Sequence, residues 1–285
     1  MTQHDPQRTN KVRYGTIDHD YGLRLATTDP AEDGPVWMVN LMKYREVADY
    51  IDGTDEISGR EADDRYTPIE SLRAVGADIV FAAEVEDVLL GDGERWDRVG
   101  VVKYPTRRSF IEMQSRPDFR RQHVHKDAGM ERTIVIGCLP LALPTPPEHT
   151  RETEWSEVPH PPSDDDGPVV VIHVIRFHES DAAMRTPSEM QSYQSAAANL
   201  ARHHGLRISG WFGAEGTIIG DGRKWHQVRF NAFPSKRSFL EVVRDPERLA
   251  GQREFREAAI ADTYTMILRP SIDLLLASTS AISGK

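Results

Sequence analysis

His173, Arg229, Asn231 and Glu215 are the residues of this chain whose types and spacing could do chemistry together. A histidine titrates at about 6.5 when unperturbed, so His173 is a candidate general base near neutral pH. Arg229 offers a planar fork for a carboxylate, phenolate or enolate, and Asn231 or Gln227 could donate to a developing oxyanion. Glu215 could orient the imidazole or relay a proton. Trp211 and Trp225 offer flat apolar walls for an aromatic or polycyclic body. Asn40, Glu84 and Arg98 stand at matching places in the first half and are expected to reach into the same pocket.

Each of these residues also has a plain structural reading. A lone strand histidine often serves packing, and Arg229 with Glu215 could be an ion pair across neighbouring strands. Trp96 and Trp225 occupy one repeated position, which favours a shared packing role. His226 falls on an apolar face, and His203-His204 sits at a helix end, where positive charge suits the dipole. His123 and His125 are two apart on a helix and point to different sides, a poor metal pair. No metal site is expected. The chain lacks G-x-S-x-G, H-E-x-x-H, a Walker loop and any cysteine cluster. Cys138, the single cysteine, lies in an apolar strand and reads as inert.

The elements that must hold these residues come twice. Leu89 to Glu112, LLGDGERWDRVGVVKYPTRRSFIE, returns at Ile218 to Glu241 as IIGDGRKWHQVRFNAFPSKRSFLE, with 10 identities in 24 positions. PVWMVNLMKY (Pro35 to Tyr44) pairs likewise with PVVVIHVIRF (Pro168 to Phe177). Within each copy an apolar strand is followed by a helix, over Tyr66 to Val75 or Ser188 to His204, closed by Gly76 or Gly205. Two strands joined by Gly-Asp-Gly follow, because Asp-Gly between alternating runs signals a hairpin. After Pro105 or Pro234 comes a second helix, interrupted at Pro117 or Pro246, and a last strand. The order is βαββαβ, the ferredoxin-like unit.

The fold class is therefore α+β, with two such units, each covering the open sheet face of the other. Residues 1-34 form a polar lead-in, 35-142 the first repeat, 143-167 a Pro-rich acidic linker, 168-275 the second repeat and 276-285 a tail. An acidic insertion at 45-66 reads as a lid or a solvated loop. Period-2 alternation puts Trp37, Val39 and Leu41, and Val170, Ile172 and Val174, on an apolar face suited to helix packing. The opposite face, with Asn40 and His173, is then expected to turn inward between the two sheets and line a pocket.

VNLMKY, GERWDRVGVVKYPTRRSFIEM and SRPDF resemble the DUF1330 and EthD-type branch of the dimeric α+β barrel superfamily, which implies that the two ferredoxin-like units close into an intramolecular α+β barrel with that pocket inside it. His173 stands for Asn40 and His226 for Asp97 in the second copy. The resemblance implies a small-molecule protein: a cofactor-free monooxygenase, isomerase, cyclase or lyase, or a haem protein with two units per chain. The leading expectation is cofactor-free acid/base chemistry, or cofactor-independent oxygenation, of an aromatic or polyketide-like substrate. Haem is the alternative cofactor. It would need an axial histidine on the second helix of the second copy, where Gln252, Glu254, Phe255 and Arg256 stand instead; His123 or His125 could serve in the first copy. A non-catalytic ligand-binding or stress-associated module is the third possibility.

Composition sets the outer limits. With 285 residues, 39% hydrophobic and 28% charged, the chain can bury a core. A formal net charge of -10 disfavours nucleic-acid or anionic-membrane partners, which need clustered Lys and Arg. No segment reads as a signal peptide or membrane span, so a cytoplasmic protein is expected, with a small apolar or aromatic substrate and a possible homodimer.

Overall fold

The computed structural model describes residues 12–51, 53, 56–66, 68–144, 153–178 and 184–280. Residues 1–11 of the lead-in, 52, 54 and 55 of the insertion, 145–152 of the linker and 281–285 of the tail lie outside the described residues. The chain runs β1 (Thr16–Ile17), α1 (His19–Thr27), β2 (Val36–Tyr44), α2 (Gly59–Arg65), α3 (Ile69–Ala74), β3 (Asp78–Leu90), β4 (Arg98–Tyr104), α4 (Arg107–Ser115), α5 (Pro117–Gly129) and β5 (Met130–Pro140). It continues with β6 (Val169–Phe177), α6 (Ser188–His203), β7 (Arg207–Gly220), β8 (Gln227–Phe233), α7 (Lys236–Arg244) and α8 (Pro246–Gly251). A π-helical turn (Gln252–Arg256), α9 (Glu257–Ala259), β9 (Ile260–Asp273) and α10 (Leu275–Ser280) complete it.

Strand order in the first half is β5-β2-β4-β3 and in the second β9-β6-β8-β7, the same ferredoxin-like order twice. The order β1-β7-β5-β2-β4-β3-β9-β6-β8, with β8 also paired to β7, makes an antiparallel α+β barrel of strands β2 to β9. By compactness the chain divides into two units. The first holds Met1–Val80, Arg95–Gly137 and Gly216–Lys224; the second holds Phe81–Glu94, Cys138–Glu215 and Trp225–Lys285.

Local chemistry explains the shared elements. Gly76 and Gly205 take φ of +72° and +80° after α3 and α6, where a side chain would be strained. Thr106 and Ser235 cap α4 and α7 by accepting from the third residue onward, Ser109 N–H and Ser238 N–H. An aspartate ahead of each first strand adds a second cap. Asp33 accepts from the N–H groups of Arg107 and Arg108, and Asp166 from those of Lys236 and Arg237. Each sits in an Asp-Gly-Pro triplet.

In the first unit, α1 lays Tyr21 and Leu25 into a core with Val36, Met38, Phe110, Met113 and Phe119. The lead-in is thus folded down from residue 12 onward. The insertion contributes α2, started by a Ser58–Glu61 capping box. It lies on α5 so closely that Gly59 and Gly129 leave no space for a Cβ. Gly59–Arg65 of the insertion is therefore packed helix, where a lid or solvated loop was expected. Residues 153–167 of the linker are also tied down in the second unit: Trp155 Nε1 donates to Gly205 O at 2.8 Å, and His160 O accepts from Ser235 and Ser238.

The structure reverses the expected assignment of sheet faces. Val36 and Met38, not Trp37, Val39 and Leu41, pack beneath the helices of the first unit. In the second unit Val169, Val171, Ile175 and Phe177 pack against α6 and α7, while Val170, Ile172 and Val174 lie on the far side. Both faces of β6 are apolar enough to be buried, so hydrophobic alternation could not say which meets the helices. His173 and Asn40 consequently face helices, not the barrel lumen.

Candidate functional site

The second unit contains a cavity of about 690 Å³ between its sheet and its helices. The floor is one rung of the sheet. Register pairs Trp211 on β7 with Arg229 on β8, Arg229 with His173 on β6, and His173 with Thr265 on β9. Residues directly opposite on antiparallel strands share a face. All four side chains therefore point to the same space, and all four line it.

His173 Nδ1 lies 3.1 Å from Thr265 Oγ1. Burial holds its proton affinity far below the usual histidine value, and the guanidiniums of Arg256, Arg229 and Arg248 depress it further. The imidazole is neutral at physiological pH. Arg229 is 2% exposed and rests 4.1 Å above the Trp211 ring. Its Nε donates to Gln227 Oε1 at 3.1 Å and its Nη2 reaches Thr186 Oγ1 at 3.4 Å. Burial, then the nearby Arg256, brings its pKa down to about 9. Among the described residues no carboxylate pairs with Arg229, Arg248 or Arg256. A buried cation without a counter-charge is costly.

The roof comes from α6 through Met190, Tyr193 and Arg202, and from α8 and the π-helical turn through Arg248, Gln252 and Arg256. Arg248, Gln252 and Arg256 are spaced four apart and so project from one side. A π-helical turn within an α-helix is often found at a functional site.

The other expected site residues distribute as follows. Asn231 lines the cavity beside Arg229. Gln227 is buried behind the floor, where its Nε2 donates to Arg185 O at 3.1 Å and its Oε1 holds Arg229 in place. Trp225 packs against Tyr264, ring centroids 5.3 Å apart, away from the cavity lining. Glu215 is outside the lining too; its charge is felt at Cys138, whose thiol burial and that carboxylate push up. Thr265 does the orienting that Glu215 was expected to do. Glu84 stands opposite Arg269 on β9 and does not line the cavity.

Asn40 and Arg98 belong to the first unit, and the cavity is lined by the second alone. Asn40 Nδ2 turns back to Met38 O at 2.9 Å. Arg98 pairs with Asp63 at 2.8 Å and Asp64 at 3.0 Å on α2. The corresponding helix-facing space of the first unit is filled by aromatic contacts: Tyr66 on Phe119 and His123, and Tyr14 on His123. His123 Nε2 lies 3.0 Å from Tyr14 Oη, and His125 Nδ1 2.7 Å from Tyr50 Oη. The sequence reading missed Thr265, Arg248 and Arg256. The four-residue spacing of Arg248, Gln252 and Arg256 was a readable sign of the last two.

No protein-family model matches the chain. No curated protein matches it. Among solved structures, the chain is similar to the RPA0582 protein of unknown function from Rhodopseudomonas palustris, at 28% identity and TM-score 0.40, over 46% of this chain and 98% of that one. It is also similar to a mutant chlorite dismutase from Candidatus Nitrospira defluvii, at 13% identity and TM-score 0.47, over 87% of this chain and 96% of that one. Among the described residues, no group of three or more His, Cys, Asp and Glu could hold a metal ion, and no helix is long and apolar enough to cross a membrane.

Proposed function

We propose that this protein is a small-molecule enzyme working in the cavity between the sheet and helices of its second unit, by acid/base chemistry on an apolar, anion-forming substrate. The observation that carries the reading is the buried rung of His173 and Arg229, a neutral base beside a cation with no carboxylate partner among the described residues. His173 would take a proton from an activated C–H or phenol. Arg229, backed by Asn231, would hold the enolate or phenolate that forms, because a preorganised donor in a dry site costs nothing to reorient. Trp211 would stack on an aromatic body. Lyase, isomerase or cyclase turnover, or attack of the resulting carbanion on oxygen, follows from that common step.

The test is deuterium incorporation by NMR, with oxygen uptake in parallel, across a panel of aryl acids and polyketide-like phenols. Wild type should exchange or turn over at least one member. His173→Ala and Arg229→Ala should stay folded and lose about a hundredfold or more in rate. Unfolding of both variants, or undiminished rates, overturns the proposal.

A haem-binding reading draws on one observation. His173, held at Nδ1 by Thr265 and neutral, lies in a cavity that also carries Arg202, Arg248 and Arg256. These residues would hold a haem by its iron and its propionates, and the bound group would supply redox chemistry. The histidine would then come from β6, not from the second helix. Hemin titration tests this: a Soret shift lost in His173→Ala supports it, and no shift ends it.

The repeated Asp-Gly-Pro caps and Gly-Asp-Gly turns support reading the chain as a duplicated ferredoxin-like unit of the DUF1330/EthD type, with repeats over 35-142 and 168-275. A cytoplasmic setting and pairing of two copies belong to the same reading.

A further inference from the structure

The cavity roof has polar groups that the proton-transfer proposal does not use. Gln194 Nε2 and Arg202 Nη1 on α6 are buried, and neither has a hydrogen-bond partner among the described residues. The two residues are eight apart, two helical turns, so they lie along one side of the helix. Both line the cavity. Across from them Arg256 is 7% exposed, is likewise without a carboxylate among the described residues, and lines the same space. Each of these is a hydrogen-bond donor. Buried donors left without acceptors are costly, and a ligand that supplies oxygen acceptors removes that cost. The rest of the roof sets apolar Met190, Ala198 and Leu249 beside Tyr193, Arg248 and Gln252.

Floor and roof therefore make different demands. The floor has one base and one cation beside it, suited to a reacting centre. In the roof, Arg202, Arg256 and the Gln194 amide suit a planar two-oxygen anion, since a guanidinium binds a carboxylate through paired hydrogen bonds, while Arg248 Nη1 already donates to Val243 O at 3.0 Å. Resting on the proton-transfer reading for the floor, we infer that the substrate is an apolar carboxylic acid whose carboxylate is held by Arg202, Arg256 and Gln194 at the helices, with its reacting end against His173 and Arg229. The carboxylate is then a recognition group, not the leaving or reacting group. The π-helical turn helps aim Arg256 at it.

The probe pair is 2-naphthoate and 2-naphthamide, equal in shape and differing in charge, titrated calorimetrically into the full chain. Wild type should bind the acid about tenfold or more tightly than the amide, the scale of a charge-assisted bond lost. The double substitution Arg202→Gln and Arg256→Gln should shrink the preference to within about twofold, while Arg229→Gln leaves it standing. Equal binding of acid and amide by wild type overturns the inference. So does a preference that vanishes in Arg229→Gln but survives in the roof variant, because the carboxylate then sits on the floor. Circular dichroism on each variant confirms that it is folded; should the double variant not fold, Arg256→Lys takes its place, and an undiminished preference there counts against the inference. The proton-transfer reading fails by a separate readout: no deuterium exchange with the acid preference intact removes the base from His173 and leaves the roof subsite in place.

Discussion

His173 on β6 and Arg229 on β8 are direct partners across the second-unit sheet, facing the same cavity, with no carboxylate paired to either among the described residues. Two potential cations placed side by side in a buried space must be uncharged, paired or costly. Burial and the arginines keep the imidazole neutral, so Arg229 carries the cost. Arg229→Met should therefore leave the unliganded protein within about 1 kcal/mol of wild type or above it, since replacing an uncompensated buried charge by an apolar side chain is often neutral or stabilising. Urea unfolding checks this. A loss of more than about 2 kcal/mol would show that the bonds to Gln227 and Thr186 make Arg229 a structural residue.

Thr265 is the neighbour that fixes the imidazole. Its hydroxyl contacts Nδ1 and it is 4% exposed, so Thr265→Val keeps the shape of the site and removes one hydrogen bond. The expected outcome is an intact fold and a rate about tenfold lower, with the acid limb of the pH profile displaced as the ring loses its fixed tautomer. If only stability changes and the pH profile does not move, Thr265 supports the sheet and not the base.

Much of this architecture was legible in residue types with a single physical meaning. Gly205 and Gly222 mark positive φ, Pro117 and Pro246 mark helix breaks, and together they located the elements. The sheet faces were not legible. Val170, Ile172 and Val174 alternate with Val169, Val171 and Ile175, and hydrophobicity is silent when both faces are buried. His173 and Arg229 are expected on the lumen side of the sheet and face the helices instead, for that reason. Arg248 and Arg256 carry no expected role, because the sequence reading of that helix turns on its missing histidine, whereas the useful sign is the four-residue spacing of Arg248, Gln252 and Arg256. Asn40 and Arg98 were drawn in by the symmetry of the repeat. The first unit has spent that symmetry on packing: α2 supplies Asp63 and Asp64 to Arg98.

The twin aspartate caps make a prediction about stability alone. Asp33 and Asp166 each bind two backbone N–H groups at the start of α4 or α7, and neither touches the cavity. Asp33→Ala and Asp166→Ala should each cost about 1–2 kcal/mol in chemical unfolding. Ligand binding to the folded fraction should not change. A cost at one site and none at the other would break the equivalence of the two halves.

Acid should destabilise the protein through its buried neutral histidines. Burial and then Lys126 lower His123 to about 4, and burial with Arg256, Arg229 and Arg248 lowers His173 far below its ordinary value. In the unfolded chain both would titrate at about 6.5. Below that pH the unfolded state takes up protons that the native state refuses, so stability falls as pH drops, by about 1.4 kcal/mol per pH unit for each group. The contribution of His123 ends near pH 4, where the native ring also protonates; that of His173 continues to lower pH. Carboxylates that are paired in the native state bend the curve the same way, so the comparison must be between variants. His173→Gln should reduce the slope of unfolding free energy between pH 6 and 4.5 by about one proton relative to wild type, measured by urea denaturation at several pH values. Equal slopes would mean that the ring is already protonated in the native protein. A protonated ring could not act as the base, and the arginines around it would need an anion not seen among the described residues.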